Sequence, residues 1–197
     1  MTPVACSDFR VGIGFDMHRL VPGRPLILGG VSVPFERGLD GDSDADVLTH
    51  AIVDALLGAA ALGDIGTHFG VGRRENIGIS SMILLERILA LLRVQGYRAN
   101  NVDATVVAEA PKLAPHFPAM RRTLAAVLGI PEAQVNLKGT TAKGMGMLGA
   151  GEGIAAYVVA SVVHLRTACA GLARPRRAAT SRENIPRATR KASRRTK

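Results

Sequence analysis

A two-layer α/β sandwich, with a mixed sheet carrying helices on one face, is the fold class that this sequence predicts. Three observations point there. Strand-like and helix-like stretches alternate along the 197 residues, and nothing repeats internally. An apolar content of 47% at that length is enough for one proper core. Ala, Gly, Val and Leu dominate, with no Trp and two Tyr, which suits elements packed closely through small side chains.

The elements follow in order. Val11 to Phe15 alternates apolar residues with glycine and reads as a first strand. Leu26 to Val33, bent at Gly29-Gly30, reads as a second, ended by Pro34; Gly38 to Gly41 reads as a turn-rich loop. Ser43 is placed to cap a helix, with Asp46 at the capping-box position and Asp44 favouring the positive end of the dipole. Val47, Leu48, Ile52, Val53, Leu56 and Leu57 continue that helix and Gly63 stops it. Asp64-Ile65-Gly66 follows as a tight turn, and the Gly-rich, charged residues 67–79 read as a mobile loop. Ser80 or Ser81 caps the next helix, whose apolar face runs through Ile83, Leu84, Ile88, Leu91 and Leu92 to Gly96. Val102 to Ala108 alternates as a strand, Pro111 to Pro118 is broken backbone, and Met120 to Leu128 is a helix ended by Gly129. Val135 to Thr140 is a short strand leading into the glycine-dense loop 139–153. The almost uninterrupted apolar run Ile154 to Leu165 is taken for a central strand.

The net charge of +9 invites a nucleic-acid reading, so its distribution matters. Residues 1–173 carry 15 basic and 15 acidic side chains, whereas residues 174–197 hold ten basic residues and one acid, Glu183. The body is therefore neutral. The expected organisation is an N-terminal extension at 1–9, a domain at 10–170 and a basic, disordered tail at 171–197. Such a tail offers contacts to RNA or an anionic surface, or none that is specific. No apolar run reaches the roughly 18 residues of a membrane span, and Met1 to Arg10 does not resemble a signal peptide. Cys6 and Cys169 fit neither a ligand spacing nor a disulfide framework, so a reducing, cytoplasmic compartment is expected.

One constellation carries chemistry. Asp16 and His18, two apart at the end of the first strand, point to the same face. His50 lies in the first helix, with Asp46 and Asp54 four residues to either side, one or the other placed to orient it. One carboxylate, two imidazoles and an open fourth position form the donor set of a catalytic zinc site, though another divalent cation would fit as well. A single His in an amphipathic helix is more often packed than ligating, and Asp-x-His alone is weak.

Several runs resemble one family closely. They are Gly14-Phe15-Asp16-Met17-His18, Ser43-Asp44-Ala45-Asp46 continuing to His50, Asp54 through Gly66, Gly96-Tyr97 with Asn101-Val102-Asp103, and Ala110-Pro111-Lys112. Asn136 with Lys138, Thr140-Thr141, and Gly149 with Gly151 through Ala155 complete the set, which spans about residues 10 to 166. On these the chain resembles the 2-C-methyl-D-erythritol 2,4-cyclodiphosphate synthases of the non-mevalonate isoprenoid pathway. The resemblance implies a homotrimer with active sites between subunits, in a bacterial cytoplasm or, reading alike, a plastid stroma. It implies cyclisation of 4-diphosphocytidyl-2-C-methyl-D-erythritol 2-phosphate with release of CMP, assisted by zinc on Asp16, His18 and His50. By the same resemblance Asp16 to His18, Asp42, Ser43 and the turn Asp64, Ile65, Gly66 contact the phosphates and the methylerythritol. Ala108, Pro111, Lys112, Leu113, Thr140 and Thr141 belong to the neighbour's cytidine and phosphate pocket, with Thr141 stabilising the transition state.

The departures from the family cluster at the substrate. Asp42 stands where the family has a His that stabilises the reacting diphosphate. Lys143 stands where it has the Glu that binds a second divalent cation, magnesium or manganese, which puts that cation in doubt. Phe69 to Arg74 replaces an acid- and proline-rich stretch, and Met147 and Ala150 replace a Phe and an Arg near the trimer axis. Two expectations follow: a working synthase in which Lys143, with Arg73 or Arg74, neutralises charge, or a diverged homologue that binds nucleotide or diphosphate without efficient turnover, because Asp42 sets a carboxylate beside the diphosphate.

Overall fold

The computed structural model describes residues 9–70 and 76–165, so the N-terminal extension before Phe9, Arg73 and Arg74, and the basic tail lie outside the described residues. Seven strands and five helices are present among them: β1 (Phe9–Pro22), β2 (Leu26–Leu28), β3 (Val31–Val33), β4 (Arg37–Leu39), α1 (Val47–Ala60), α2 (Ile65–Phe69), α3 (Ser81–Val94), β5 (Tyr97–Val107), α4 (Phe117–Leu128), β6 (Val135–Thr140), α5 (Gly146–Gly149) and β7 (Gly153–His164). The main sheet runs β4-β1-β7-β5-β6 and is mixed: β5 and β6 are parallel, all other neighbours antiparallel. The mixed sheet with its helices agrees with the expected α/β class.

The centre of the molecule is the contact between β1 and α1, and two glycines create it. A Cβ on Gly12 would lie 2.1 Å from the carbonyl oxygen of Ala55, and one on Gly14 1.9 Å from that of Ala51. Only bare backbone lets the helix come this close. The approach also selects Ala51, Ala55 and Ala59, all buried, on the facing side of α1. Every residue of α1 except Asp54 and Gly58 is buried, because β1 and β7 cover one side and α3 the other. With Gly12 and Gly14 inward, the next inward positions of β1 are Asp16 and His18. The helix that packs on the glycines carries His50 to them.

Inward glycine means outward apolar side chains. Phe9, Val11, Ile13, Phe15 and Met17 line the outer face of β1, and Ile13 is 72% exposed. Tyr157 and Val159 of β7 extend this face, the rings of Phe15 and Tyr157 lying 4.7 Å apart. On the β5–β6 side the same face turns polar, with Lys138 Nζ 2.7 Å from Asp103 and Asn136 donating to the same carboxylate at 2.8 Å.

Several local expectations change. Leu26 to Val33 is a hairpin rather than one bent strand, because Gly29 and Gly30 both take positive φ (56° and 71°), the turn that reverses paired strands. Part of the expected loop at 38–41 is strand β4, paired with the end of β1. The first helix is capped by Asp46, not Ser43. Asp46 accepts from Thr49 N (3.0 Å), Thr49 Oγ1 (2.7 Å), Gly29 N (2.9 Å) and Gly30 N (2.7 Å), so one carboxylate starts α1 and clamps the hairpin turn. Burial pushes that carboxyl up, and these four donors oppose it. Asp64-Ile65-Gly66 opens α2 instead of forming a bare turn, as Asp64 accepts from Thr67 N at 2.7 Å, and the helix takes Thr67 to Phe69 out of the expected loop. Ser80 caps α3 as one of the two expected candidates.

Candidate metal centre

Asp16 and His18 from β1 meet His50 from α1. Asp16 Oδ2 lies 2.9 Å from His18 Nε2 and 3.0 Å from His50 Nδ1, and those two nitrogens are 3.3 Å apart. The sequence-predicted triad is thus brought together, each residue offering one donor atom within 4.8 Å of the others. Burial alone would raise the Asp16 carboxyl, but the His18 and His50 rings held against it keep it well below the usual carboxylate range. For His18 burial acts downward, and its partners Asp16 and the Asp40 carbonyl raise it above the ordinary 6.5.

The other ring nitrogen of His18 settles its orientation. Nδ1 is 2.5 Å from the Asp40 carbonyl oxygen, which only accepts, so Nδ1 carries a proton. Nε2 then either holds the second proton of an imidazolium against Asp16 or turns its lone pair on a cation. A carboxylate oxygen and two imidazole nitrogens aimed at one point fit a divalent metal ion.

Asp46 and Asp54, expected to orient His50, do other work. Helical spacing puts them on its face, but Asp46 is the cap and folds back on its own helix. Asp54 instead accepts from Ile65 N at 2.7 Å and holds the start of α2 beside the centre, with burial pushing its carboxyl up. His50 Nε2 meets two hydroxyls, Ser81 at 2.8 Å and Ser43 at 3.2 Å. Ser81 was not found from the sequence, since a serine beside a capping serine carries no distinguishing signal. Arg24 was missed too. Its guanidinium donates to Gly41 O (2.7 Å) and Ser43 O (2.6 Å), pinning the loop that supplies Asp40, Asp42 and Ser43.

These residues line a cavity of about 370 Å³ that includes Asp16, His18, Asp42, Ser43, His50, Ile65 and Gly66, with Phe69, Asn76 and Leu84 as walls not foreseen. A second cavity, also about 370 Å³, lies at the ends of β5 and β6 and takes in Ala108, Pro111, Lys112, Leu113, Thr140 and Thr141 together with Glu109 and Phe117. The two share no lining residue. Met17 lines neither; it lies in a smaller cavity with Met147 and Leu148. Asp64 caps α2, where its bonds from Thr67 lower its carboxyl pKa. Lys143 is exposed, with a left-handed backbone (φ 57°) and its N–H donated to Thr141 Oγ1 at 3.3 Å.

The model of the YgbB family matches residues 9–163. A 2-C-methyl-D-erythritol 2,4-cyclodiphosphate synthase of Symbiobacterium thermophilum is 57% identical over 152 residues, covering 77% of this chain and 97% of that protein. Its counterpart in Alkaliphilus metalliredigens is 58% identical over 153 residues, covering 78% and 96%. Among solved structures, the bifunctional IspDF of Campylobacter jejuni superposes with a TM-score of 0.78 at 36% identity, over 82% of this chain and 44% of that one. The CDP complex of IspF from Plasmodium falciparum gives 0.70 at 30% identity, over 81% and 99%.

Proposed function

The chain belongs to the YgbB family of 2-C-methyl-D-erythritol 2,4-cyclodiphosphate synthases, and from that premise we propose how its own residues divide the reaction. It converts 4-diphosphocytidyl-2-C-methyl-D-erythritol 2-phosphate to the 2,4-cyclodiphosphate and CMP, as a lyase of the isoprenoid pathway. The observation that carries the assignment to a site is the convergence of Asp16, His18 and His50 on one point. In the reaction an oxygen of the 2-phosphate bonds to the β-phosphorus, and the bond from that phosphorus to the α-phosphate oxygen breaks, leaving on CMP. Both partners belong to one molecule, so holding it bent supplies much of the acceleration.

Asp16, His18 and His50 would hold a divalent cation, zinc by donor type, which supplies charge neutralisation and orientation to phosphate oxygens. Ser43 and the Asp64–Gly66 segment contact the phosphates and the methylerythritol. The cleft of Ala108, Pro111, Lys112, Leu113, Thr140 and Thr141 takes the cytidine and its phosphates; that the Plasmodium falciparum relative was solved as a CDP complex supports a cytidine nucleotide as ligand. Thr141 steadies the charge that develops as the phosphoryl group moves. Lys143 brings an ammonium instead of a carboxylate, so a second divalent cation has no acid to hold it at that position. Asp42 lies in the metal cavity, yet relatives 57% and 58% identical across the domain are synthases, and nothing favours the reading of a chain that binds without turnover.

Because the two clefts are separate, the substrate would bridge them between subunits of a homotrimer. The apolar outer face of β1 and β7 supports such self-association. The test is the purified protein with authentic substrate and zinc, with and without magnesium, followed by phosphorus NMR. Cyclic diphosphate and CMP are expected with zinc alone. A folded, zinc-loaded protein that forms neither product overturns the assignment, and a mass by light scattering other than about three times 20.7 kDa overturns the trimer.

A further inference from the structure

We propose that Ser81 and Asp44 are positioning residues of the metal centre, a carboxylate–hydroxyl relay that dictates which nitrogen of His50 carries its proton. The proposal rests on the metal reading of Asp16, His18 and His50. His50 Nε2 faces away from Asp16, toward Ser81 Oγ at 2.8 Å and Ser43 Oγ at 3.2 Å. A hydroxyl donates or accepts, so these contacts alone leave the ring undetermined.

Asp44 determines it. An ionised carboxylate only accepts, and Asp44 grips Ser81 twice: Oδ2 takes the backbone N–H at 3.0 Å and Oδ1 takes the hydroxyl. Ser81 has one hydroxyl proton. A carboxylate oxygen is a stronger acceptor than an imidazole nitrogen, so that proton goes to Asp44. Ser81 Oγ must then accept from His50, which fixes Nε2–H. The lone pair of Nδ1 is left 3.0 Å from Asp16 Oδ2 and 3.3 Å from His18 Nε2. A lone pair held against a carboxylate is repelled until a cation lies between them, so the relay poises the centre for metal.

The placement of both residues fits this task. Ser80 performs the capping, accepting from Met82 N at 3.3 Å, which releases Ser81, fully buried at the first position of α3. Asp44 is anchored by its own N–H to the Ile79 carbonyl at 3.0 Å. The loops before α1 and before α3 are therefore tied together behind the metal centre.

The test uses full-length protein labelled with nitrogen-15 at histidine, loaded with zinc and read by long-range proton–nitrogen NMR. The proton is expected on His50 Nε2, with Nδ1 the metal-bound nitrogen. Ser81→Ala is expected to weaken zinc binding by about 10- to 100-fold in chelator competition. Asp44→Asn, whose amide donates to Ser81 and reverses the relay, should weaken it similarly and move the His50 ring signals. A proton on Nδ1 of the zinc-loaded wild type, or unchanged zinc affinity in a folded Ser81→Ala protein, overturns the proposal. If that variant does not fold, the wild-type spectrum decides alone. A wild type that takes up no zinc overturns the metal reading, and the relay with it.

Discussion

The two cavities have the same volume, about 370 Å³ each, and opposite construction. At the metal end the polar side chains hold one another: Asp16 touches both histidines, His18 is fixed by Asp40, and His50 by Ser81 and Ser43. At the β5–β6 end the walls are Val106, Ala108, prolines and the Phe117 ring, whose Cζ would lie 3.2 Å from a Cβ on Gly139. Its polar tips are held loosely, Thr140 Oγ1 donating to Thr141 O at 3.4 Å and Glu109 Oε1 accepting from Gly144 N at 3.4 Å. One end is set before any ligand arrives. The other is a shaped surface whose polar groups are held only by long hydrogen bonds, which suits the proposed completion of this cleft by substrate and a neighbouring subunit.

The largest effect expected is at the set end. His50→Ala removes a donor from the triad and should lower turnover by about a thousandfold or more, measured as CMP release, with zinc content falling in parallel. Full activity in a zinc-free His50→Ala protein would break the comparison at its root. Thr141→Ala, at the other end, should lower kcat by about a hundredfold and leave zinc content unchanged. Lost zinc in that variant would mean that the two ends are one unit.

Arg24→Met comes next. It removes two hydrogen bonds to the carbonyls of Gly41 and Ser43 without touching a metal ligand. Loosening that loop should lower both zinc affinity and kcat by about tenfold, assayed by chelator competition and phosphorus NMR. An effect on thermal stability alone would make Arg24 a structural residue only.

The same contrast explains what was legible in the sequence. Asp16 and His18 could be paired from the two-residue period of a strand, and His50 joined them as the second imidazole of a zinc-type donor set, which the family pattern then strengthened; the glycines that bring it there were visible only as spacing. Arg24 was not legible because its bonds go to backbone carbonyls, Gly41 O and Ser43 O, and Ser81 was not because a serine beside a capping serine carries no mark of the His50 and Asp44 contacts that the loops bring to it. Ser43 was misread as a cap because Asp46, three residues on, satisfies the helix start and the hairpin turn at once. The outer face of β1 carries the opposite lesson. Alternation found the strand correctly, yet its apolar residues lie outward, since the inner positions had to be glycine for α1 to approach.

The smallest effect concerns protons, and its sign separates metal binding from folding. In the metal-free protein Asp16 and the Asp40 carbonyl raise His18 above 6.5. The ion pair with Asp16 therefore contributes to folding fully below about 6.5, and the contribution is lost as pH rises through the raised folded value. Zinc requires the unprotonated ring, so its affinity runs the other way. It should increase by about tenfold per pH unit up to that value and level off above it, as one proton is displaced per metal bound. Chelator competition across that range, paired with thermal melts of the metal-free protein, reads both slopes. Opposite signs would place His18 at the centre of both equilibria; equal signs would mean that another group sets the pH dependence and that His18 is already neutral before metal arrives.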